Sequence, residues 1–414
     1  MAGVNVTQIR AFQPHLVTPD HAGSVVGPAY DSMSPDERRG FRDANPDNYI
    51  NVMRSVDDFP HGERPSEEQL LKENADQLQH LLASGAYARC DQEAIFLYQL
   101  TINGHSQTGI VAEIPVSEYR DGLVRKHEET RKDHEARLGH YLDTVGATSS
   151  PICLAYEGTD IINAIVDDLI NSKAMLDFFL PDGVQQRLWQ VSDPLVLEAL
   201  KQAFIEIEFT YLTDGHHRAA STLHHAASRH AQGKGSGPWD YLLTVLFPAS
   251  QLRVLPFNRC VRDLGGLTPE AFVERLEPDF TIETMSVERA TLPARQGQFL
   301  MLMDGQAVTI TRRPAAQDPS PVKNLDVSVL QDKVLAPVLG IHDARKDPRL
   351  DYVTGDSGID GLLQRCREGW QLGIACFPTS MAELMAVANA GEVMPPKSTC
   401  FDPKPRSGLF VRMS

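Results

Sequence analysis

Phe209-Thr210-Tyr211-Leu212-Thr213-Asp214-Gly215-His216-His217-Arg218-Ala219-Ala220 is the stretch on which the reading of this chain turns. The apolar run from 205 to 212 reads as a strand, and Gly215 permits a tight backbone turn. Ala219-Ala220-Ser221-Thr222-Leu223 then continues in a helix-competent pattern to about residue 231. A strand that passes through such a turn into a helix leaves the first helical N–H groups unpaired. With the helix dipole, those groups favour an anion. Arg218 adds a planar cationic fork suited to phosphate or carboxylate. Asp214 suits a metal ion or the orientation of a nucleophile, and histidines at 216 and 217 can move protons near neutral pH. The plainer alternative is a capping aspartate, a surface arginine and two solvated histidines. Five such residues on one turn exceed what a cap requires, and the residues by themselves leave a phosphate-handling turn and a plain capped helix start as alternatives.

Upstream, Ser34-Pro35-Asp36-Glu37 and Ser66-Glu67-Glu68-Gln69 both combine an N-capping serine with an acid or amide three residues on, and each starts a helix. The second helix carries Leu70, Leu71, Leu78, Leu81 and Leu82 and stops at Gly85. Apolar runs at 94–100 and 109–112 flank Asn103-Gly104, the signature of a β-hairpin. Residues 117–145 read as a charged, largely helical stretch, 152–155 as a strand, 159–180 as helix and 187–191 as a strand. Asp193 caps a helix to about 205. After the glycine-rich break at 232–238, 241–247 is a strand, and a second hairpin forms around Asp304-Gly305. Antiparallel hairpins mixed with helices indicate an α+β fold rather than an unbroken βαβ series.

Two further groups are candidates. Arg125-Lys126-His127-Glu128-Glu129-Thr130-Arg131-Lys132-Asp133-His134-Glu135-Ala136-Arg137 reads either as a charged segment in water or as a source of acid/base and anion-binding groups: His127, Glu128 and Arg137. Tyr30 and Asp31, with Asn48, can line a cleft. His224, His225 and His230 extend the histidine count along the helix. They lack a metal-ligand spacing and are read as a solvated face.

Bulk properties bound the answer. The 414 residues are 42 % hydrophobic and 23 % charged, ordinary values for a globular enzyme. A formal charge of −16 and a pI near 5.3 argue against nucleic acid as a partner, since affinity there comes largely from Lys and Arg on phosphates. Six scattered cysteines without a C-x-x-C pair, no basic-then-apolar leader and no long apolar window lead to the expectation of a cytoplasmic protein without disulfides or membrane spans. Walker, Rossmann, nucleophile-elbow and kinase motifs are missing, so phosphate transfer here would proceed without the common nucleotide loops.

Thr213-Asp214-Gly215-His216-His217-Arg218 resembles the hallmark of the bacterial family known as domain of unknown function 1015. Pro28-Ala29-Tyr30-Asp31-Ser32-Met33-Ser34 and Asn45-Pro46-Asp47-Asn48-Tyr49 are similar to its opening. His127-Glu128-Glu129-Thr130 matches its middle, and Met394-Pro395-Pro396-Lys397-Ser398-Thr399 and Pro403-Lys404 with Ser407-Gly408-Leu409 match its close. The resemblance implies a ParB/sulfiredoxin-like mixed-sheet core with helical elaborations and a smaller α/β C-terminal portion. The expected division is 1–260 for the catalytic region and 265–414 for a C-terminal region closing the cleft. It also implies kinship with free L-serine kinases, hence transfer of a phosphoryl group from ATP or pyrophosphate to a small hydroxy-amino acid, with Mg²⁺ as the expected cofactor. On this reading Gly215, Arg218, Arg137 and Lys397 bind phosphate, and Asp214 holds the metal or the acceptor hydroxyl. His216 or His217 contacts the phosphoryl group in flight. Glu128 with His127 beside it, or else Asp31, takes the hydroxyl proton, while Tyr30, Asp31 and Asn48 bind substrate. The rival readings are a phosphatase or nucleotide hydrolase at the same turn and a non-enzymatic nucleotide-gated binding module. The partner is a small molecule, and self-association is left open.

Overall fold

The computed structural model describes residues 6–414, apart from the side chain of Asp31. The chain folds as two units. The first takes in the chain up to Arg125, then Glu129–Leu252 and Pro403–Ser414; the second takes in Lys126–Glu128 and Arg253–Asp402.

In the first unit the strands are β1 (His15–Val17), β2 (Tyr87–Arg89), β3 (Ile95–Ile102), β4 (His105–Pro115), β5 (Val124–Arg125), β6 (Ala147–Thr148), β7 (Ile152–Tyr156), β8 (Leu176–Phe179), β9 (Gln185–Val191), β10 (Thr210–Asp214) and β11 (Tyr241–Pro248). Its helices are α1 (Ala22–Val25), α2 (Pro35–Ala44), α3 (Glu67–Ala83), α4 (Val116–Arg120), α5 (Lys132–Val145), α6 (Asp160–Ile170), α7 (Pro194–Ile205) and α8 (His216–Ala231). Eight strands form one sheet in the order β5-β10-β7-β11-β4-β3-β9-β8, antiparallel except for the β10–β5 and β11–β7 pairs. The β3–β4 hairpin closes through Asn103 (φ 49°) and Gly104 (φ 77°), the two left-handed residues that a twist-matched hairpin turn demands. α2 begins with the reciprocal Ser34–Glu37 capping box, and Ser66 caps α3 by accepting from the Gln69 N–H.

Alternation along the central strands sends side chains to two cores. Ile95 and Leu97 join Ile152, Leu154 and Tyr156 against Phe204 of α7 and Ala219 and Ala220 of α8. Phe96, Tyr98 and Leu100 join Val245 and Phe247 on the other face, with Leu78 and Leu81 of α3. A sheet covered on both faces accounts for strands such as β7, every residue of which is buried. A second sheet, β2-β1-(Phe410–Met413)-β6, ties the closing segment of the chain to the first unit.

The second unit is built on a six-stranded antiparallel sheet in the order Phe280–Ser286, Gln306–Arg312, Gln298–Met303, Leu372–Cys376, Phe257–Val261, Leu350–Thr354. Phe272, Phe280, Phe299, Leu330 and Ile374 are among the residues of its core.

The α+β class holds. Three local expectations do not. The stretch 159–180 is α6 followed by strand β8, because Leu176–Phe179 pairs with β9 and closes that edge of the sheet. α7 reaches Ile205, so β10 starts only at Thr210. Residues 117–145 are two helices separated by β5, which pairs in parallel with β10. The first unit ends at Leu252 and recovers Pro403–Ser414, whose strand pairs with β1 and β6.

Two glycines test the packing. A Cβ on Gly109 of β4 would lie 2.5 Å from Val245 Cγ2 and 2.7 Å from Phe247 Cε1, whereas one on Gly139 of α5 meets nothing within 4 Å. Gly109→Ala is expected to destabilise by about 1–3 kcal/mol through overpacking. Gly139→Ala should stabilise by roughly 0.5–1 kcal/mol through reduced unfolded-state entropy. Urea unfolding of the two variants beside wild type checks both signs.

Candidate functional site

The site is built where β10 ends. Leu212 pairs with Leu154 of β7 and Asp214 with Cys153, so Thr213 is an extra residue in the ladder. Its Oγ1 donates to the Cys153 carbonyl at 3.0 Å. A bulge of this kind re-aims the next side chain at the strand's end. Gly215 follows with φ +94° as the N-cap of α8, a conformation that only glycine adopts without strain.

The Asp214 carboxylate is clasped by two cations. Arg218, one helical turn on, donates from Nη2 to Oδ2 at 2.6 Å, and Lys404 donates from Nζ to Oδ1 at 3.1 Å. The three side chains are only 22–30 % exposed. The Arg218 guanidinium lies over Gly215: an added Cβ there would meet Nη2 at 2.8 Å and Nε at 2.9 Å. Burial by itself would raise the Asp214 carboxyl, but Lys404 first and Arg218 next outweigh it and hold it down at about 2. Asp214 therefore stays ionised at any physiological pH.

Lys404 stands in the closing motif, and sequence reasoning misses it as a site residue. The signal was present in Pro403-Lys404-Pro405-Arg406-Ser407-Gly408, a basic residue between two prolines before a glycine at φ +94°. The segment is pinned on both sides of Lys404. Gln107 Nε2 donates to the Pro403 carbonyl at 2.9 Å, the Arg406 N–H to Tyr98 Oη at 3.3 Å, and the Gly408 N–H to Ser149 Oγ at 2.6 Å.

The expectation that Asp214 holds Mg²⁺ does not fit this geometry. Mg²⁺ takes oxygen ligands in near-octahedral array, and both Asp214 oxygens already face a cation. Two unit charges ~4 Å apart repel by about 4 kcal/mol near a protein surface, and a divalent ion doubles that. Among the described residues no group of three or more His, Cys, Asp and Glu side chains is placed to hold a metal ion.

The two histidines of the turn differ. His216 is buried, at 5 % exposure. His217 is half-buried, packs its ring 5.1 Å from that of His134 on α5, and accepts from the Arg131 N–H at 3.4 Å. Further along α8, the solvated-face reading fits the exposed His224 and His230 and is corrected for His225. His225 is buried 3.3 Å from Asp143 of α5, His224 lies 3.1 Å from Glu135, and His230 lies 2.6 Å from Asp240. Packing of α8 on α5 brings Glu135 and Asp143 to the histidine stripe, while Asp240 comes from the 3₁₀ turn Pro238–Asp240. Burial, ahead of any charge, lowers the pKa of His134, His217 and His225.

α5 connects the turn to the region of Tyr30. Arg137 donates to Asp57 at 2.8 Å. The neighbouring Asp58 accepts from Tyr30 Oη at 2.9 and 3.0 Å and from Arg38 Nε at 2.7 Å, with Arg38 stacked 4.4 Å over the Tyr30 ring. Burial and then Asp58 push the Tyr30 phenol well up, so it stays a proton donor. Asn48, expected to bind substrate, is 2 % exposed and committed to the backbone: it donates to the carbonyls of Ser24 and Val26 and accepts from the Ile50 N–H. Asp31 occupies the 3₁₀ turn Tyr30–Ser32, and its side chain lies outside the described residues.

His127, Glu128 and Lys397 belong to the second unit. His127 is buried and its carbonyl accepts from the Met394 N–H at 2.8 Å; Glu128 is exposed. Lys397 has φ +57°, rare for a side-chain-bearing residue, and its ammonium sits 5.0 Å from the Phe257 ring centroid. Arg259 donates to its carbonyl at 3.2 Å.

The family model described as "Protein of unknown function (DUF1015)" matches residues 9–328. The chain belongs to that family. No curated protein matches it in sequence. Solved structures that it is similar to include a conserved hypothetical protein from Pyrococcus furiosus, 14 % identical over 73 % of this chain and 94 % of that one, TM-score 0.34. A free serine kinase in complex with AMP is 14 % identical, with coverages of 70 % and 86 % and a TM-score of 0.33. SbnI with C-terminal truncation from Staphylococcus aureus is 11 % identical, with coverages of 72 % and 85 % and a TM-score of 0.35. No helix among the described residues is long and apolar enough to cross a membrane.

Gly215→Ala should cost about 1–2 kcal/mol from the left-handed backbone alone and drive the Arg218 guanidinium off Asp214; urea unfolding reads the first effect and a crystal structure of the variant the second. His134, His217 and His225 set a pH dependence. Their folded pKa values are depressed, so the unfolded chain binds protons first and stability falls as pH drops below about 6.5. The urea midpoint is expected to decline from about pH 7.5 to about pH 5.5, and less steeply in His225→Gln.

Proposed function

We propose that this protein is a phosphotransferase that passes a phosphoryl group from ATP or pyrophosphate to the hydroxyl of a small amino acid, free L-serine being the leading acceptor. The observation that carries the reading is the convergence of Lys404 and Arg218 on one carboxylate at the N-terminus of α8. A guanidinium and an ammonium beside the first backbone N–H groups of α8 are the donors that a phosphate takes up. The choice of acceptor rests on the kinship with free serine kinases that the sequence motifs imply.

A phosphoryl transition state is loose, and its stabilisation is mostly positioning and charge. Lys404 and Arg218 grip the donor phosphate. His217, kept neutral by burial and by His134, donates or accepts a hydrogen bond without adding charge. Glu128, with His127 beside it, and Asp31 are the carboxylates proposed to take the hydroxyl proton, and Lys397 is a further phosphate-binding candidate. Mg²⁺ enters no step through Asp214.

Arg218→Ala and Lys404→Met should each lower turnover by roughly 10²- to 10³-fold, the usual loss for one charge-stabilising donor, with folding checked by circular dichroism. Purified protein incubated with ATP or pyrophosphate, with and without serine, and read by mass spectrometry for phosphoserine makes the test. Phosphate release that ignores serine would convert the assignment to a hydrolase. Near-wild-type turnover in both variants would sink it.

A further inference from the structure

The Asp214 carboxylate, about a quarter exposed, carries a cation on each of its two oxygens. We infer that Asp214 is a positioning residue, which sets the Lys404 ammonium and the Arg218 guanidinium side by side so that the turn takes its phosphate directly on two organic cations. The inference rests on the phosphate reading above and names its chemistry: a phosphate or diphosphate anion held without a metal bridge at Asp214.

The two partners are held in complementary ways. Lys404 has its backbone fixed by Gln107, Tyr98 and Ser149 through the residues around it, so the position of its charge is decided by the far end of a four-carbon stem. Asp214 Oδ1 fixes that end. Arg218 has its backbone fixed in the first turn of α8, where Ser221 Oγ and Thr222 Oγ1 both donate to its carbonyl. Its guanidinium is laid flat over Gly215 and held there by Asp214 Oδ2. The carboxylate uses one oxygen per cation, and the bulge at Thr213 is what turns it to do so. Without the carboxylate, two like charges would repel and both flexible chains would spread. A phosphate would then have to order them itself, and would bind more weakly for it.

Calorimetry with pyrophosphate as the probe, in EDTA and again in Mg²⁺, separates positioning from metal ligation. Wild type is expected to bind in EDTA, and Asp214→Asn to weaken binding by about tenfold or more in both buffers, as for the loss of a charge-assisted bond. Asp214→Glu should recover part of the loss. The Asp214→Asn/Lys404→Met pair should fall short of the product of the single effects, because one residue acts through the other. A readout without ligand accompanies this. Acylation of Lys404, followed by peptide mass spectrometry at limiting reagent, should rise several-fold in Asp214→Asn relative to other lysines of the same sample.

Asp214→Asn that binds normally in EDTA and loses only the Mg²⁺-dependent part would make Asp214 a metal ligand and overturn the inference. Unchanged Lys404 labelling would overturn it as well. Wild type that binds pyrophosphate in neither buffer would refute the phosphate reading, whereas labelling that still rises would leave Asp214's hold on Lys404 standing by itself.

Discussion

A largely buried carboxylate calls for partners, and at Asp214 that requirement draws a distant segment of the first unit to the junction of β10 and α8. The end of β10 supplies the anion, the first turn of α8 supplies Arg218, and the closing segment supplies Lys404. The neighbouring features answer to the same need. The bulge at Thr213 turns the side chain, Gly215 clears room for the guanidinium, and the hydrogen bonds around Pro403 and Gly408 hold the lysine's backbone still. Taking away one member of such a trio costs more than the contact it made, because the others are left with uncompensated charge.

The packing of α5 on α8 extends this order outward. His134 against His217, Glu135 beside His224 and Asp143 beside His225 and Arg229 make a polar seam between two amphipathic helices. The first turns of α5 then reach Asp57, next to the Asp58 that binds Tyr30 and Arg38. The turn and the Tyr30 region are therefore linked through one helix.

Local signals in the chain were strong where the physics is local. The Ser34 capping box, the Asn103-Gly104 hairpin and the strand–Gly215–helix turn each depend on a few adjacent residues, and each could be read directly. Leu176–Phe179 could not, because its state is decided by pairing with β9. Arg218 was expected to face a ligand and does lie at the turn, but its bond to Asp214 depends on side-chain directions that sequence does not encode. Lys404 lay 190 residues from Asp214, where no periodicity or spacing rule reaches. Asn48 had the right chemistry for a cleft, and only the fold reveals that the backbone at Ser24, Val26 and Ile50 absorbs it.

The second unit interrupts the first along the chain, since Arg253–Asp402 is inserted between Leu252 and Pro403. A ribosome that has just released Asp214 must add the whole insertion before Lys404 emerges. At 5–20 residues per second, the intervening 190 residues take roughly 10–40 s. During that interval the nascent sheet also lacks the strand that later pairs with β1 and β6. Completion of the charged trio is thus a late event in the life of each molecule, and the incomplete chain is the form most exposed to quality control.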